Sequence, residues 1–189
     1  AVSRRQGRYL MLEQMLAAGV RHVFGNPGTT EQAFMDALND YPQLQYILAL
    51  HEGVAVGIAD GYSRLSPVPA FVQLHITPGL GNAMGMLYNA YWTRAPLVVY
   101  VGQHPQRGGQ QEPILWGDLV GMARSVTKWA AEVQDAADLP MLLRRAFQVA
   151  ATPPRGPVLL SVPANVMDLS LIHISEPTRL LSISYAVFC

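Results

Sequence analysis

Three side chains in the first half of this chain carry the chemistry of a proton-handling site: Glu52, His75 and Thr29. Glu52 stands where an apolar run, Tyr46 to Leu50, ends in a charged pair and passes into a small-residue segment. That sets a carboxylate at the mouth where a strand hands over to a helix, and in an open α/β sheet ligands collect in the crevice at the carboxyl ends of the strands. His75 closes a second apolar run, and Thr29 follows a third, so all three map to one rim. Two titratable groups and a hydroxyl converging on one crevice can move protons to and from a bound small molecule. Each also has a plainer use. An acid in the first turn of a helix complements its macrodipole, a histidine at a strand end is commonly structural, and a threonine caps the next helix.

Other motifs narrow the chemistry. Gly79-Leu80-Gly81-Asn82-Ala83-Met84-Gly85 has the look of a dinucleotide fingerprint, but its spacing is Gly-x-Gly-x-x-x-Gly. It falls in the third strand-to-helix turn, and the next strand ends in Gly102-Gln103 with no acid for a ribose hydroxyl. Those glycines fit a backbone passing close to a ligand or partner. There is no phosphate-binding Gly-x-x-x-x-Gly-Lys-Ser/Thr loop and no Gly-x-Ser-x-Gly elbow, and His51-Glu52 lacks the second histidine of a zinc motif. His22, His75 and His104 are scattered without metal-ligand spacing.

The elements that must position these residues follow from periodicity. Helices are predicted over Tyr9 to Ala18, Thr29 or Thr30 to Asn39, Glu52 onward, Gly79 to Trp92, Leu119 to Ala123 and Leu139 to Ala151. Strands are predicted over Val20 to Phe24, Tyr46 to Leu50, Ala70 to Ile76, Leu97 to Val101, Val126 to Ala130 and Val158 to Val162, with a polar loop from Gln103 to Trp116. Strand and helix alternating about six times predict an α/β fold: a doubly wound, mostly parallel six-stranded sheet with helices on both faces. Gly53, Gly57 and Gly61 recur every four residues on one helical face, which points to a packing or interface demand.

Of 189 residues half are apolar, enough for one domain with a real core. Thirteen acidic residues balance thirteen basic ones, so no nucleic-acid or membrane partner is indicated. Cys189 is the single cysteine, and no apolar segment reaches the roughly 20 residues a membrane span needs. A cytoplasmic protein is expected. From about Leu169 the pattern changes, and the stretch through Cys189 follows neither helix nor strand logic from the preceding residues. The expected division is a domain over 1–168 and a non-native, adaptor-derived tail over 169–189.

His51-Glu52-Gly53-x-Ala55-x-x-x-Ala59-x-Gly61-Tyr62-x-Arg64 resembles the segment that carries the cofactor-activating glutamate of thiamine-diphosphate-dependent enzymes, in their N-terminal pyrimidine-binding domain. The likeness runs from about Tyr9 to Asp168 and is strongest toward benzoylformate decarboxylase-like proteins, through Val23 to Gly28, Tyr46 to Leu50, Leu74-His75, Gly81 to Gly85 and Gly156 to Pro163. The resemblance implies a non-oxidative 2-oxo acid decarboxylase in which Glu52 hydrogen-bonds the pyrimidine ring of thiamine diphosphate and promotes its imino tautomer. It implies His75 as the proton-handling group at the substrate, with Thr29, Gly28 and Gln111 at the substrate and Asn82 and Pro27 beside Glu52 at the cofactor. Gln111-Glu112 is similar to the substrate loop of acetolactate synthases, which leaves a carboligase open; a non-catalytic module of the same fold is the third alternative. In such enzymes the diphosphate and its Mg²⁺ or Ca²⁺ are held by a separate C-terminal domain, and the site forms between subunits of a homodimer or homotetramer. This chain alone is therefore expected to be inactive and to bind the cofactor weakly.

Overall fold

The structure is a computed structural model that describes residues 3–168 and 170–173. Six parallel strands make the central sheet: β2 (His22–Gly25), β3 (Gln45–Leu48), β4 (Ala70–Leu74), β5 (Leu97–Gln103), β6 (Trp129–Glu132) and β7 (Val158–Pro163), in spatial order β3-β2-β4-β5-β7-β6. Two further strands, β1 (Ser3–Gln6) and β8 (Ser170–His173), pair antiparallel with Ser3 opposite His173. The expected six-stranded, doubly wound sheet is what forms. The chain steps from β2 outward to β3, then crosses back to β4 on the other side of β2. That reversal is the topological switch point, where the loops leaving neighbouring strands part and open a crevice.

The helices divide between the two faces. Those on one face are α1 (Gly7–Ala17), α2 (Gln32–Leu38), α6 (Leu139–Ala151) and α7 (Ala164–Asp168), burying Phe34, Met11, Leu143 and Val166 against Phe71, Val98 and Tyr100. On the other, α3 (Glu52–Leu65), α4 (Ile76–Trp92) and α5 (Leu119–Ala123) bury Val56, Leu80, Leu87 and Leu119 against Val72, Leu74, Val99 and Val101. Alternate residues of β4 and β5 thus serve opposite faces, which is why both strands read as continuous apolar runs.

Most element ends shift by one to three residues from the sequence reading, β4 for instance stopping at Leu74 rather than Ile76, and three starts bear on the site or its frame. Helix α4 begins at Ile76, three residues before the predicted Gly79, because Thr77 and Pro78 fit its first turn, where a missing proline N–H costs nothing. The segment at Thr29 starts as a 3₁₀ turn, Thr29–Glu31, before α2. Strand β6 starts at Trp129 rather than Val126, since the Val126 amide and the Thr127 hydroxyl both donate back to the Ala123 carbonyl and close a turn. Within the expected tail Ser170–His173 takes strand form, because β1 offers it an edge that the polar stretch Ser3–Gln6 did not advertise. Of the tail expected over 169–189, residues 169 and 174–189 lie outside the described residues. Among the described residues no helix is long and apolar enough to cross a membrane.

Candidate functional site

The site sits at the switch point, on the loops that leave β2, β3 and β4. Glu52 is the first residue of α3 and is buried, 6% exposed. The preceding residue, His51, caps the helix, its Nδ1 accepting from the Gly53 amide at 3.0 Å. Two amide side chains clasp the carboxylate. Asn26, just after β2, donates through Nδ2 to Oε1 at 3.2 Å, and Asn82, in α4, donates through Nδ2 to Oε2 at 3.0 Å. Asn26 is itself positioned from below: Nε2 of the buried Gln73, near the end of β4, donates to its backbone carbonyl, and the Tyr46 hydroxyl donates to Oε1 of Gln73. Gly79 lies over the carboxylate, where a Cβ would come within 3.2 Å of Oε1. Each carboxylate oxygen accepts one amide and keeps a lone pair for a ligand.

His75 stands just before α4, its side chain turned away from the helix end toward Glu31, and is part-buried. Its Nδ1 lies 2.9 Å from Oε2 of Glu31 and 3.2 Å from the Thr30 hydroxyl. Glu31, fully buried, also accepts from the Gly28 amide at 2.8 Å and from the Thr30 hydroxyl at 2.5 Å. Two glycines make room for this group. A Cβ on Gly28 would overlap the His75 ring, and one on Gly102 would overlap the Glu31 carboxylate. Beneath it, burial pushes the Tyr46 and Tyr100 hydroxyls well above the ordinary tyrosine range, and the nearby Glu31 adds to the shift.

The residue after His75 is in an unusual conformation. Ile76 has φ +36°, left-handed backbone in a β-branched residue that is wholly buried. Strain of this kind persists where surrounding structure over-determines it, and here it turns the chain from β4 into α4 directly beside His75.

Of the residues singled out from sequence, Glu52 and Asn82 meet directly, while Gly28 abuts His75. Thr29 is exposed at the rim, and it is its neighbour Thr30 whose hydroxyl joins His75 and Glu31. Pro27 is half-buried in the same turn. Gln111 is exposed at the end of a short 3₁₀ segment, Gln106–Gln111, and no hydrogen bond among the described residues ties it to Glu52 or His75. Sequence reading passed over Asn26 and Glu31. The spacing Gly28-x-x-Glu31, an acid able to reach back to a turn amide, was the available signal for Glu31.

Beside Glu52 runs an open apolar groove of about 790 Å³ between α3 and α4, lined by His51, Val54, Gly57, Ile58, Asn82 and Met86 among others. Gly53 and Gly57 face α4, where added Cβ atoms would sit 3.3 Å from the Asn82 carbonyl and 3.2 Å from the Met86 methyl. Gly61, Gly81 and Gly85 face open space. The glycine stripe therefore serves helix packing at one end and leaves a smooth open surface at the other.

A buried carboxylate clasped by amides at a switch point, with an acid–imidazole pair one strand away, is an arrangement able to bind a small molecule and pass protons. Residues 5–122 match the family described as thiamine pyrophosphate enzyme, N-terminal TPP binding domain, and the chain belongs to that family. It is 44% identical over 147 residues to benzoylformate decarboxylase from Pseudomonas aeruginosa, which covers 77% of this chain and 27% of that protein. It is 34% identical over 178 residues to mitochondrial acetolactate synthase from Schizosaccharomyces pombe, covering 94% of this chain and 26% of that protein. Among solved structures, the thiamine diphosphate-dependent 4-hydroxybenzoylformate decarboxylase of Rhodococcus jostii superposes with a TM-score of 0.83 at 36% identity, over 87% of this chain and 31% of that one. The chain thus spans roughly a quarter to a third of the relatives it matches.

Proposed function

We propose that this chain is the cofactor-activating N-terminal domain of a thiamine-diphosphate-dependent enzyme that decarboxylates a 2-oxo acid without oxidation, in the manner of benzoylformate decarboxylase. The observation that carries the reading is Glu52: a buried carboxylate at the head of α3, gripped by Asn26 and Asn82, with lone pairs left for a ring nitrogen. The residues present fit the group. Asn82 both holds Glu52 and lines the adjoining apolar groove, so a flat heteroaromatic ring could lie on the groove and present its edge to the carboxylate. When bound, thiamine diphosphate supplies the nucleophilic carbon and the electron sink that let a 2-oxo acid lose its carboxylate.

Glu52 would take and return a proton at the pyrimidine edge. Pro27 would border the cofactor from the β2 turn. His75, held by Glu31, would move a proton at the substrate, and Thr29 and Gly28 would line its approach, with Gln111 reaching in from the loop. The diphosphate and its Mg²⁺ or Ca²⁺ would be held by a further domain, and the exposed apolar side chains Val54 and Ile58 beside the open glycines support burial of this face in a homodimer or homotetramer. We place the enzyme in the cytoplasm, take residues 1–168 as the domain and 169–189 as a non-native tail, and expect the isolated chain to be inactive.

The 94% coverage by an acetolactate synthase favours a second reading, a carboligase that joins the decarboxylated fragment to another 2-oxo acid. Assay of the full-length enzyme with thiamine diphosphate and Mg²⁺ separates the two. Benzoylformate or 4-hydroxybenzoylformate plus a proton giving the aldehyde and CO₂ supports the decarboxylase. Pyruvate giving acetolactate supports the carboligase, and turnover of no 2-oxo acid sinks both.

A further inference from the structure

The group around Glu31 does more than cap a turn. Glu31 is fully buried and lies after Thr30 in a 3₁₀ turn, yet its two oxygens gather three partners from separate places: the Gly28 amide, the Thr30 hydroxyl and Nδ1 of His75. The fold clears space for it twice, at Gly102 on β5 and at Gly28 against the imidazole. A cap needs only the amide. Burying a carboxylate is costly unless it is fully hydrogen-bonded, and an exposed cap would avoid that cost.

We propose that Glu31 is a positioning residue for His75: it holds the proton on Nδ1, fixes the plane of the ring and balances the charge when His75 is protonated, so that Nε2 is the atom that gives and takes protons at the substrate. The proton placement follows from donor logic. An ionised carboxylate only accepts, so the short contact to Nδ1 requires that nitrogen to carry the hydrogen. The Thr30 hydroxyl has one proton, directed to Glu31 Oε1, and its oxygen is then free to share the Nδ1 hydrogen. Nothing else among the described hydrogen bonds claims Nε2. The strained backbone at Ile76 fits the same picture, since it is the turn that brings the ring over Gly28. The catalytic part of this inference rests on the proposed 2-oxo acid chemistry; the proton placement does not.

Two readouts test it. Imidazole ¹⁵N spectra of this chain should show neutral His75 protonated on Nδ1 and bare on Nε2, with Glu31→Ala moving the proton toward Nε2. In the full-length enzyme Glu31→Gln, which keeps the shape and removes the charge, should lower kcat by about 10²-fold with little change in KM, the lower end of what a positioned proton-transfer group contributes. The same substitution placed on a His75→Ala background should cost nothing further, because residues that act as one unit are not additive. A neutral His75 carrying its proton on Nε2, or losses that multiply in the double variant, overturns the proposal. An enzyme that turns over no 2-oxo acid refutes the function instead and leaves the spectra to decide the proton placement.

Discussion

Asn82 in α4 and Glu52 at the head of α3 meet at 3.0 Å, so two helices that leave adjacent parts of the sheet are locked together through the Glu52 carboxylate itself. Asn26 completes the clasp from the β2 side. Hydrogen bonds to a charged group contribute about 1.5–3 kcal/mol, and 1.4 kcal/mol is a factor of ten. Asn82→Ala and Asn26→Ala should therefore each weaken the full-length enzyme's use of thiamine diphosphate by roughly 10- to 100-fold, read as cofactor Kd and kcat. Glu52→Gln should cost more, about 10²- to 10⁴-fold in kcat, because it removes the proton-transfer group while leaving a side chain of the same shape. Near-normal turnover in Glu52→Gln would refute the assignment of Glu52.

The glycines sort into two kinds with opposite expected outcomes. At Gly102 an added Cβ would overlap the Glu31 carboxylate and stand 2.8 Å from the Thr30 hydroxyl, all in a buried strand. Gly102→Ala should destabilise the chain by about 1–3 kcal/mol, the cost of overpacking a full site. Gly61 is exposed in the middle of α3 with nothing within 4 Å of its would-be Cβ. Gly61→Ala should stabilise the chain by up to about 1 kcal/mol and raise its Tm by roughly 2–4 °C. Calorimetry on the two variants checks both signs.

How far the site could be read from sequence depends on how local each feature is. Glu52 is legible because the apolar run before it and the small residues after it place it at a strand-to-helix handover. His75 follows from the end of β4 in the same way. The doubly wound parallel sheet also follows, since alternating apolar segments with short connections admit few topologies. Glu31 is not legible as a site residue, because an acid in a first turn looks like a partner for the helix dipole. Its burial depends on Gly102, far along the chain on β5, which only the folded sheet brings opposite. Asn26 likewise looks like a turn residue until α3 presents Glu52 to it. The pairing of β1 with β8 escaped notice because Ser3–Gln6 is polar and carries no strand pattern.

Ile76 offers a direct test of backbone strain. In ordinary helical positions Gly is about 1 kcal/mol worse than Ala. At φ +36° the Cβ is crowded by backbone, which costs roughly 1–2 kcal/mol for any residue but glycine. Both truncations lose the buried Ile76 side chain, so comparing them isolates the backbone. Ile76→Gly should be at least as stable as Ile76→Ala, reversing the usual order. Denaturant midpoints that keep Ala above Gly by the ordinary margin would show that the segment relaxes out of the left-handed region.

The tyrosines under the site should make the fold sensitive to alkali. Burial first, and the Glu31 charge second, raise Tyr46 and Tyr100 above their ordinary value of 10.0. In the unfolded chain both ionise at that ordinary value, whereas the folded chain keeps them neutral. Stability contributed by the neutral hydroxyls is therefore fully present below about pH 10 and falls as the pH climbs toward the raised folded values. Urea unfolding between about pH 9 and 11.5 should show ΔG level at first and then declining, as the unfolded state binds fewer protons. Tyr46→Phe removes one of the two groups, so its ΔG should decline less steeply over the same range, even though the lost hydrogen bond to Gln73 lowers its stability at neutral pH. Identical slopes for the two proteins would mean that Tyr46 ionises as readily in the fold as out of it, and that the ring is not sealed beneath the Glu31–His75 pair.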